Sequence, residues 1–186
     1  ASDVYKRQIT TSMIEFHPAK PQDIAAIVSL VNQTYRGEQS RLGWTTEADL
    51  LDGLRTDQAH MASLVNAQDS RVLLAKQGDK LLGSILLEYL ADSEAVELGM
   101  FAVAPSLQNR GIGKQLLAYA ESFALNQWRP QRLILEVIPC RQELISFYQR
   151  RGYQFNGASQ PFPVNPELWR PKREGLTLAC MEKRID

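Results

Sequence analysis

Between Arg71 and Ile138 the apolar pattern changes period in a way that leaves few folds open. Val72-Leu73-Leu74-Ala75 and Leu81-Leu82-Gly83-Ser84-Ile85-Leu86-Leu87 are apolar runs separated by Gln77-Gly78-Asp79-Lys80. That arrangement predicts two strands joined by a tight Gly-Asp turn. A third run, Ala95 to Ala104, is bounded by Asp92-Ser93 and Pro105, and its length predicts a strand buried on both faces. From Gly111 to Gln127 the period becomes helical, with Ile112, Leu116, Leu117, Ala120, Phe123 and Ala124 on one stripe. Arg132 to Ile138 is a strand again, stopped by Pro139.

The flanks extend the pattern. A strand at about 13–17 is followed by a helix start at Pro21 and Asp23, whose stripe of Ile24, Ile27, Val28, Val31 and Tyr35 closes at Gly37. Gly43-Trp44-Thr45-Thr46-Glu47 reads as a loop into a second helical stretch with Leu50, Leu51 and Leu54 on one side. A third short helical piece is expected around 57–65. Downstream, Gln142 to Arg151 is a helix ended by Gly152, and Tyr153-Gln154-Phe155 is a short strand. A Pro-rich loop at about 158–173 then precedes a last strand at about 175–183. The fold class is α/β, of the α+β type: one domain with a mixed, mostly antiparallel central sheet of about six to seven strands flanked by helices. Residues 1–12 carry no usable pattern and are read as a non-native or disordered leader, leaving 13–186 as the domain.

Composition narrows the partners. Lys plus Arg number 21 and Asp plus Glu 21, so no net basic charge is available to neutralise nucleic-acid phosphates or an anionic membrane surface. The local pairs Arg150-Arg151 and Lys172-Arg173 read as solvated surface charge. Cys140 and Cys180 lack C-x-x-C spacing, and His17 and His60 have no His or Cys at ligand spacing, so neither a disulfide framework nor a metal site is expected. No apolar run approaches the roughly 20 residues of a membrane span. A cytoplasmic setting is the expectation.

Gln108-Asn109-Arg110-Gly111-Ile112-Gly113 stands between the third strand and the long helix. The first turn of a helix has N–H groups without intrahelical partners and carries partial positive charge. Glycines there let anion oxygens approach without a Cβ in the way. Gln108, Asn109, Arg110 and Lys114 add side-chain donors, so the segment is an anion cradle. A dinucleotide fingerprint needs glycine where Leu116 stands. A Walker loop needs a further upstream glycine, and Ser or Thr where Gln115 stands. Both readings fail.

What remains is Gln-x-x-Gly-x-Gly after Val103-Ala104-Pro105, followed by Phe147-Tyr148-Gln149-Arg150-Arg151-Gly152-Tyr153 at the end of the next helix. This pair of motifs resembles the acyl-CoA signature of the GNAT superfamily of N-acetyltransferases, and the likeness covers about residues 13–157. The resemblance implies acetyl-CoA as acyl donor, with its pyrophosphate on Gln108, Asn109, Arg110, Gly111, Ile112, Gly113 and Lys114. It implies a pantetheine arm paired with Phe101, Ala102 and Val103, and possible homodimerisation as in relatives. One departure is visible: relatives often carry Asn where Arg141 stands and Ala where Leu144 stands. Arg141 is open to three roles, a solvated helix-start arginine, a contact to a cofactor phosphate, or one to a substrate carboxylate.

Acetyl transfer to an amine needs a held thioester, a neutral amine and a proton for the leaving thiolate. The resemblance gives Tyr148 the last role, its counterpart lying beside the thioester sulfur. Glu97 is the candidate base, matching a glutamate of the histone-modifying branch. Strand alternation puts it on the face shared with Gly99, Phe101 and Val103 unless a bulge intervenes. Acceptor contacts are expected from Tyr35, Glu38, Trp44, Thr45, Glu47 and Asp49, and from Phe162, Trp169 and Arg170 in the C-terminal loop. Aromatic plus acidic groups suit a small cationic amine. The alternatives are a protein or peptide acceptor, and a catalytically silent acyl-CoA sensor, against which Tyr148 and Glu97 together argue.

Overall fold

The computed structural model describes residues 13–186; the expected leader 1–12 lies outside them. Strand β1 (Ile14–Pro18) leads through a 3-10 turn at Pro21–Asp23 into α1 (Ile24–Tyr35) and the one-turn α2 (Gly37–Ser40). Then follow β2 (Leu51–Gly53), α3 (Gln58–Asn66), β3 (Ser70–Gln77), β4 (Lys80–Leu90) and β5 (Ala95–Val103). The second half comprises α4 (Ile112–Trp128), β6 (Arg132–Val137), α5 (Gln142–Gln149), β7 (Gln154–Pro161), β8 (Trp169–Pro171) and β9 (Thr177–Arg184).

Seven strands form one sheet in the order β1-β3-β4-β5-β6-β9-β7. Its neighbours run antiparallel except β5 and β6, which run parallel because α4 carries the chain back across the sheet. The mixed sheet is therefore as the periodicities predict. On one face α4 buries Ile112, Leu116, Leu117, Ala120 and Ala124 against Leu73, Leu87, Val96 and Leu133, and Tyr148 and Tyr153 join the same cluster. On the other face, Ile27, Leu30 and Val31 of α1 and Met61 of α3 cover Val72, Leu74, Leu86, Met100 and Ala102. Spacings of 3, 4 and 7 residues along each helix produce these stripes.

Two expectations fail. The second helical stretch around Leu50, Leu51 and Leu54 is absent. Leu51–Gly53 is instead a strand paired with Trp169–Pro171. Gly53 sits at φ +91°, and a Cβ there would lie 2.1 Å from Leu168 O, so the backbone is committed to this close antiparallel approach rather than to a helix. Leu50 and Leu51 are buried with Ile138, while Leu54 is exposed. Likewise the expected loop at 158–173 is partly strand, because β7 continues to Pro161 against β9 and β8 answers β2.

Candidate active site

The parallel pairing of β5 with β6 runs only from Ala95↔Arg132 to Leu98↔Leu135. Beyond it the two strands part, although β5 continues to Val103. At the parting point β5 carries a bulge. Ser84 pairs with Ala102 but Leu86 with Gly99, so Met100 and Phe101 together oppose Ile85, and Met100 takes φ +40°. The extra residue reverses the alternation. Val96 and Leu98 face the α4 side, and so do Phe101 and Val103, while Met100 and Ala102 face α1. Glu97, paired across the ladder with Glu88, therefore lies on the α1 side of the sheet, opposite Phe101 and Val103. This corrects the alternation expected without a bulge.

Past Val103 a single 3-10 turn, Pro105–Leu107, leads to the glycine turn. Asn109 (φ +65°) and Gly111 (φ +81°) both adopt left-handed backbone with Arg110 between them, the alternation that curls successive N–H groups into an anion-binding concavity. Gly111 is the N-cap of α4, and the first helical bond is Gln115 N–H to Gly111 O at 3.1 Å, so the N–H groups of Ile112, Gly113 and Lys114 precede the ladder. Beside them opens a cavity of about 820 Å³ lined by Phe101, Val103, Asn109, Gly111, Gly113 and Lys114 from the predicted set. Ala102 and Ile112 are buried in the two cores and can offer main-chain groups only. Arg110 is exposed and is not among the residues lining the cavity.

Gln108 also lines the cavity, yet its amide is engaged within the protein. Nε2 donates to Val103 O at 3.0 Å and Thr45 Oγ1 at 2.7 Å, and Oε1 accepts from Trp44 N–H at 2.9 Å. A Cβ on Gly43 would lie 2.6 Å from Gln108 Oε1, so a larger residue there would displace the Gln108 amide from these bonds. The sequence assigns Trp44 and Thr45 to the acceptor; the structure puts both in the wall of the cofactor-sized cavity.

The opposite wall is α5. Glu143, Phe147, Arg150 and Arg151 line it, at the helical spacing that could have revealed them. Arg151 is half-buried, its guanidinium 3.7 Å from the Phe147 ring centroid, so it is not the solvated charge expected. The Tyr148 ring packs edge-on to Phe147 at 5.4 Å and lies 6.4 Å from Phe101. It is only 6% exposed, and among the described residues its hydroxyl has no hydrogen-bond partner. Burial, reinforced by nearby Tyr35, pushes its pKa above the usual phenol range.

Arg141 is not a solvated helix-start arginine, because its guanidinium is engaged within the protein. It donates to Thr45 O and, at 2.9 Å, to the Glu47 carboxylate, which also pairs with Arg36. All three side chains are nearly buried, and the network staples the 43–47 loop between α1 and α5. Tyr35 donates its hydroxyl to Phe101 O, with its pKa raised to about 12 by burial and then by Glu47. Glu97 has its pKa raised to about 7, first by burial and then by Glu136 and Glu88. Other acceptor candidates are accounted for locally. Glu38 and Asp49 pair with Arg41 at the surface, Phe162 and Trp169 pack on Leu50, Leu51 and Ile138, and Arg170 is an exposed residue opposite Asp52.

The chain and its fold have counterparts among known proteins. Residues 23–153 match the model of the acetyltransferase (GNAT) family. The peptidyl-lysine N-acetyltransferase YiaC of Escherichia coli is 36% identical over 92 residues, 50% of this chain and 53% of that protein, so the match spans about half the relative's length. Smu.2055 from Streptococcus mutans superposes with TM-score 0.68 at 18% identity, covering 92% of this chain and 99% of that one. The ribosomal-protein-S18-alanine N-acetyltransferase of Escherichia coli gives 0.67 at 14% identity, covering 94% and 95%. A spermidine N-acetyltransferase SpeG chimera from Vibrio cholerae and hSSAT gives 0.67 at 16%, covering 93% and 96%. The structural likenesses are of fold; with the family match over most of its length, this chain belongs to the GNAT family of acetyltransferases.

Proposed function

We propose that the chain transfers an acetyl group from acetyl-CoA to a primary amine of a small cationic molecule, by direct attack in a ternary complex. The observation that carries this reading is the gap between β5 and β6, with Tyr148 on its α5 side and Glu97 on the opposite face. The pyrophosphate occupies the concavity formed by Asn109 to Gly113, with Lys114 beside it. The pantetheine arm lies in the cavity against Phe101 and Val103, between the α4 start and α5.

An alkylammonium, pKa near 10, must lose a proton before it attacks. A carboxyl titrating near 7 is well matched to accept it at neutral pH. Glu97 stands four residues from Phe101, about 13 Å of extended strand, so the proton reaches it through water rather than by direct contact. Attack forms the C–N bond and puts negative charge on the thioester oxygen, which the N–H groups of Phe101 and Val103 stabilise. Collapse breaks the C–S bond, and the extra proton on the attacking nitrogen passes through water to the departing thiolate. A thiolate near pKa 8.5 is too weak a base to take the proton of a phenol raised above 10, so Tyr148 steadies the sulfur by a hydrogen bond. The carboxylates of Glu88, Glu97 and Glu136 support a cationic acceptor.

A second reading, acetylation of peptide lysine, is favoured by the likeness to YiaC. Thiol release from acetyl-CoA, measured against diamines, polyamines, amino acids and lysine peptides, separates the two. Turnover with small amines supports the first reading and turnover with peptides alone supports the second. Tight CoA binding with no turnover on any acceptor means a silent sensor.

A further inference from the structure

Phe147 reaches across the cavity as well as lining it. It stands on α5, yet its ring tip meets the first turn of α4. A Cβ on Gly113 would lie 3.8 Å from Phe147 Cζ, 3.6 Å from Phe101 Cζ and 3.5 Å from Val103 Cγ2. Side chains from β5 and α5 thus converge over one glycine at ordinary van der Waals range. The Phe101 and Trp44 rings flank Phe147, their centroids 6.0 and 6.1 Å away. The Arg151 guanidinium lies 3.7 Å from the Phe147 ring centroid, and its Nη1 donates to Phe147 O at 2.7 Å. Among the described residues Arg151 makes no ion pair, and its Nε is buried without a hydrogen-bond partner. The guanidinium is therefore held chiefly by the ring and by one carbonyl.

We propose that Phe147 is a gate across the path of the cofactor arm, latched by Arg151, which acts on cofactor binding through the ring as a positioning residue. The proposal rests on the acyl-CoA reading above. There the pyrophosphate sits at Asn109 to Gly113 and the arm runs along Phe101 and Val103, so the arm crosses in front of Gly113. The Phe147 ring occupies that crossing, and ring and arm exclude each other. The arm enters when the ring swings aside, and its affinity is lowered by the fraction of molecules in which the gate is shut. A latch made of one cation–π contact and one hydrogen bond opens readily, whereas a buried ion pair would resist. The direction of the charge effect separates a latch from a phosphate ligand. Removing a guanidinium that binds phosphate weakens binding, and removing one that opposes entry strengthens it.

The test is Arg151→Met, which keeps an unbranched side chain and removes the charge, with Phe147→Ala beside it. CoA binding to wild type is measured first by calorimetry, and its absence contradicts the acyl-CoA reading itself. Given binding, Arg151→Met is expected to hold CoA about three- to tenfold more tightly. Stopped-flow mixing should place that gain in the association rate, with dissociation changed less than about twofold. Phe147→Ala, which removes the gate itself, should speed association at least as much. A side chain that only supports the cavity wall would give the opposite, weaker binding through faster dissociation. Weaker or unchanged CoA binding by Arg151→Met, or an association rate equal in all three proteins, overturns the gate while leaving the cofactor reading intact.

Discussion

Glu97 and Phe101 lie four residues apart on β5 yet stand on opposite faces of the sheet, because Met100 and Phe101 share the single cross-strand partner Ile85. On the acetyl-transfer reading proposed above, the bulge gives donor and acceptor separate approaches to one gap. Phe101 faces the cavity between α4 and α5, and Glu97 faces the other side among carboxylates.

That placement makes Glu97 costly to the fold. Its pKa is about 7 in the folded protein against an ordinary 4.5, so the folded state holds its proton where the unfolded chain releases it. Stability therefore falls as pH rises from about 4.5 to 7. Glu97→Gln, which does not titrate, is expected to be more stable than wild type above pH 7 by on the order of 1–2 kcal/mol, allowing for solvent screening. The advantage should vanish below pH 4.5. Thermal melts at pH 4 and pH 8 check this, and equal melting shifts at both would contradict it.

Tyr148→Phe keeps the packing against Phe101, Phe147 and Tyr153 and removes one hydroxyl. It is expected to leave acetyl-CoA affinity nearly unchanged and to cut kcat about 10- to 100-fold. Steady-state kinetics beside a calorimetric Kd decide the matter. Wild-type kcat would remove the hydroxyl from the mechanism.

The two cradle glycines should differ. Gly111 needs φ +81°, a conformation that costs a residue with a Cβ about 1–2 kcal/mol. Gly113 is helical, and a Cβ there meets only ordinary contacts of 3.5 Å and more to Val103, Phe101 and Phe147. Gly111→Ala is expected to lower the melting temperature by a few degrees and weaken CoA binding about tenfold or more. Gly113→Ala should hold its stability, since alanine is the better helix former. Titration of CoA into both variants tests the contrast.

Glu47 neutralises two guanidinium groups, those of Arg36 and Arg141, in a nearly buried network. Glu47→Gln leaves both uncompensated and is expected to cost about 3–5 kcal/mol, lowering the melting temperature by roughly 10 °C. Adding Arg141→Met should recover part of that loss. A double variant no more stable than the single would show that the charges are not coupled.

Much of this was legible in the sequence because it rests on local signals. The strand runs at 72–75, 81–87 and 95–104, the stripe on α4 and the glycine turn each follow from spacing over a few residues. What stayed hidden depends on distant partners. Leu50 and Leu51 read as helix because β8, which pairs with β2, comes some 120 residues later. Arg141 looked solvated because its partner Glu47 arrives through tertiary folding, as does the Thr45 that engages Gln108. The bulge at Met100 is marked in the sequence only by Gly99 inside the strand, a signal that leaves its position and direction open, and without it Glu97 is assigned to the wrong face.

The pH dependence of kcat for acetyl transfer to a small amine, in wild type and in Glu97→Gln, tests the central claim most directly. A base that must be deprotonated to work makes the wild-type rate rise with pH through about 7. Replacing it should lower the rate at neutral pH and abolish that inflection. The same inflection in Glu97→Gln at wild-type rate would contradict the account.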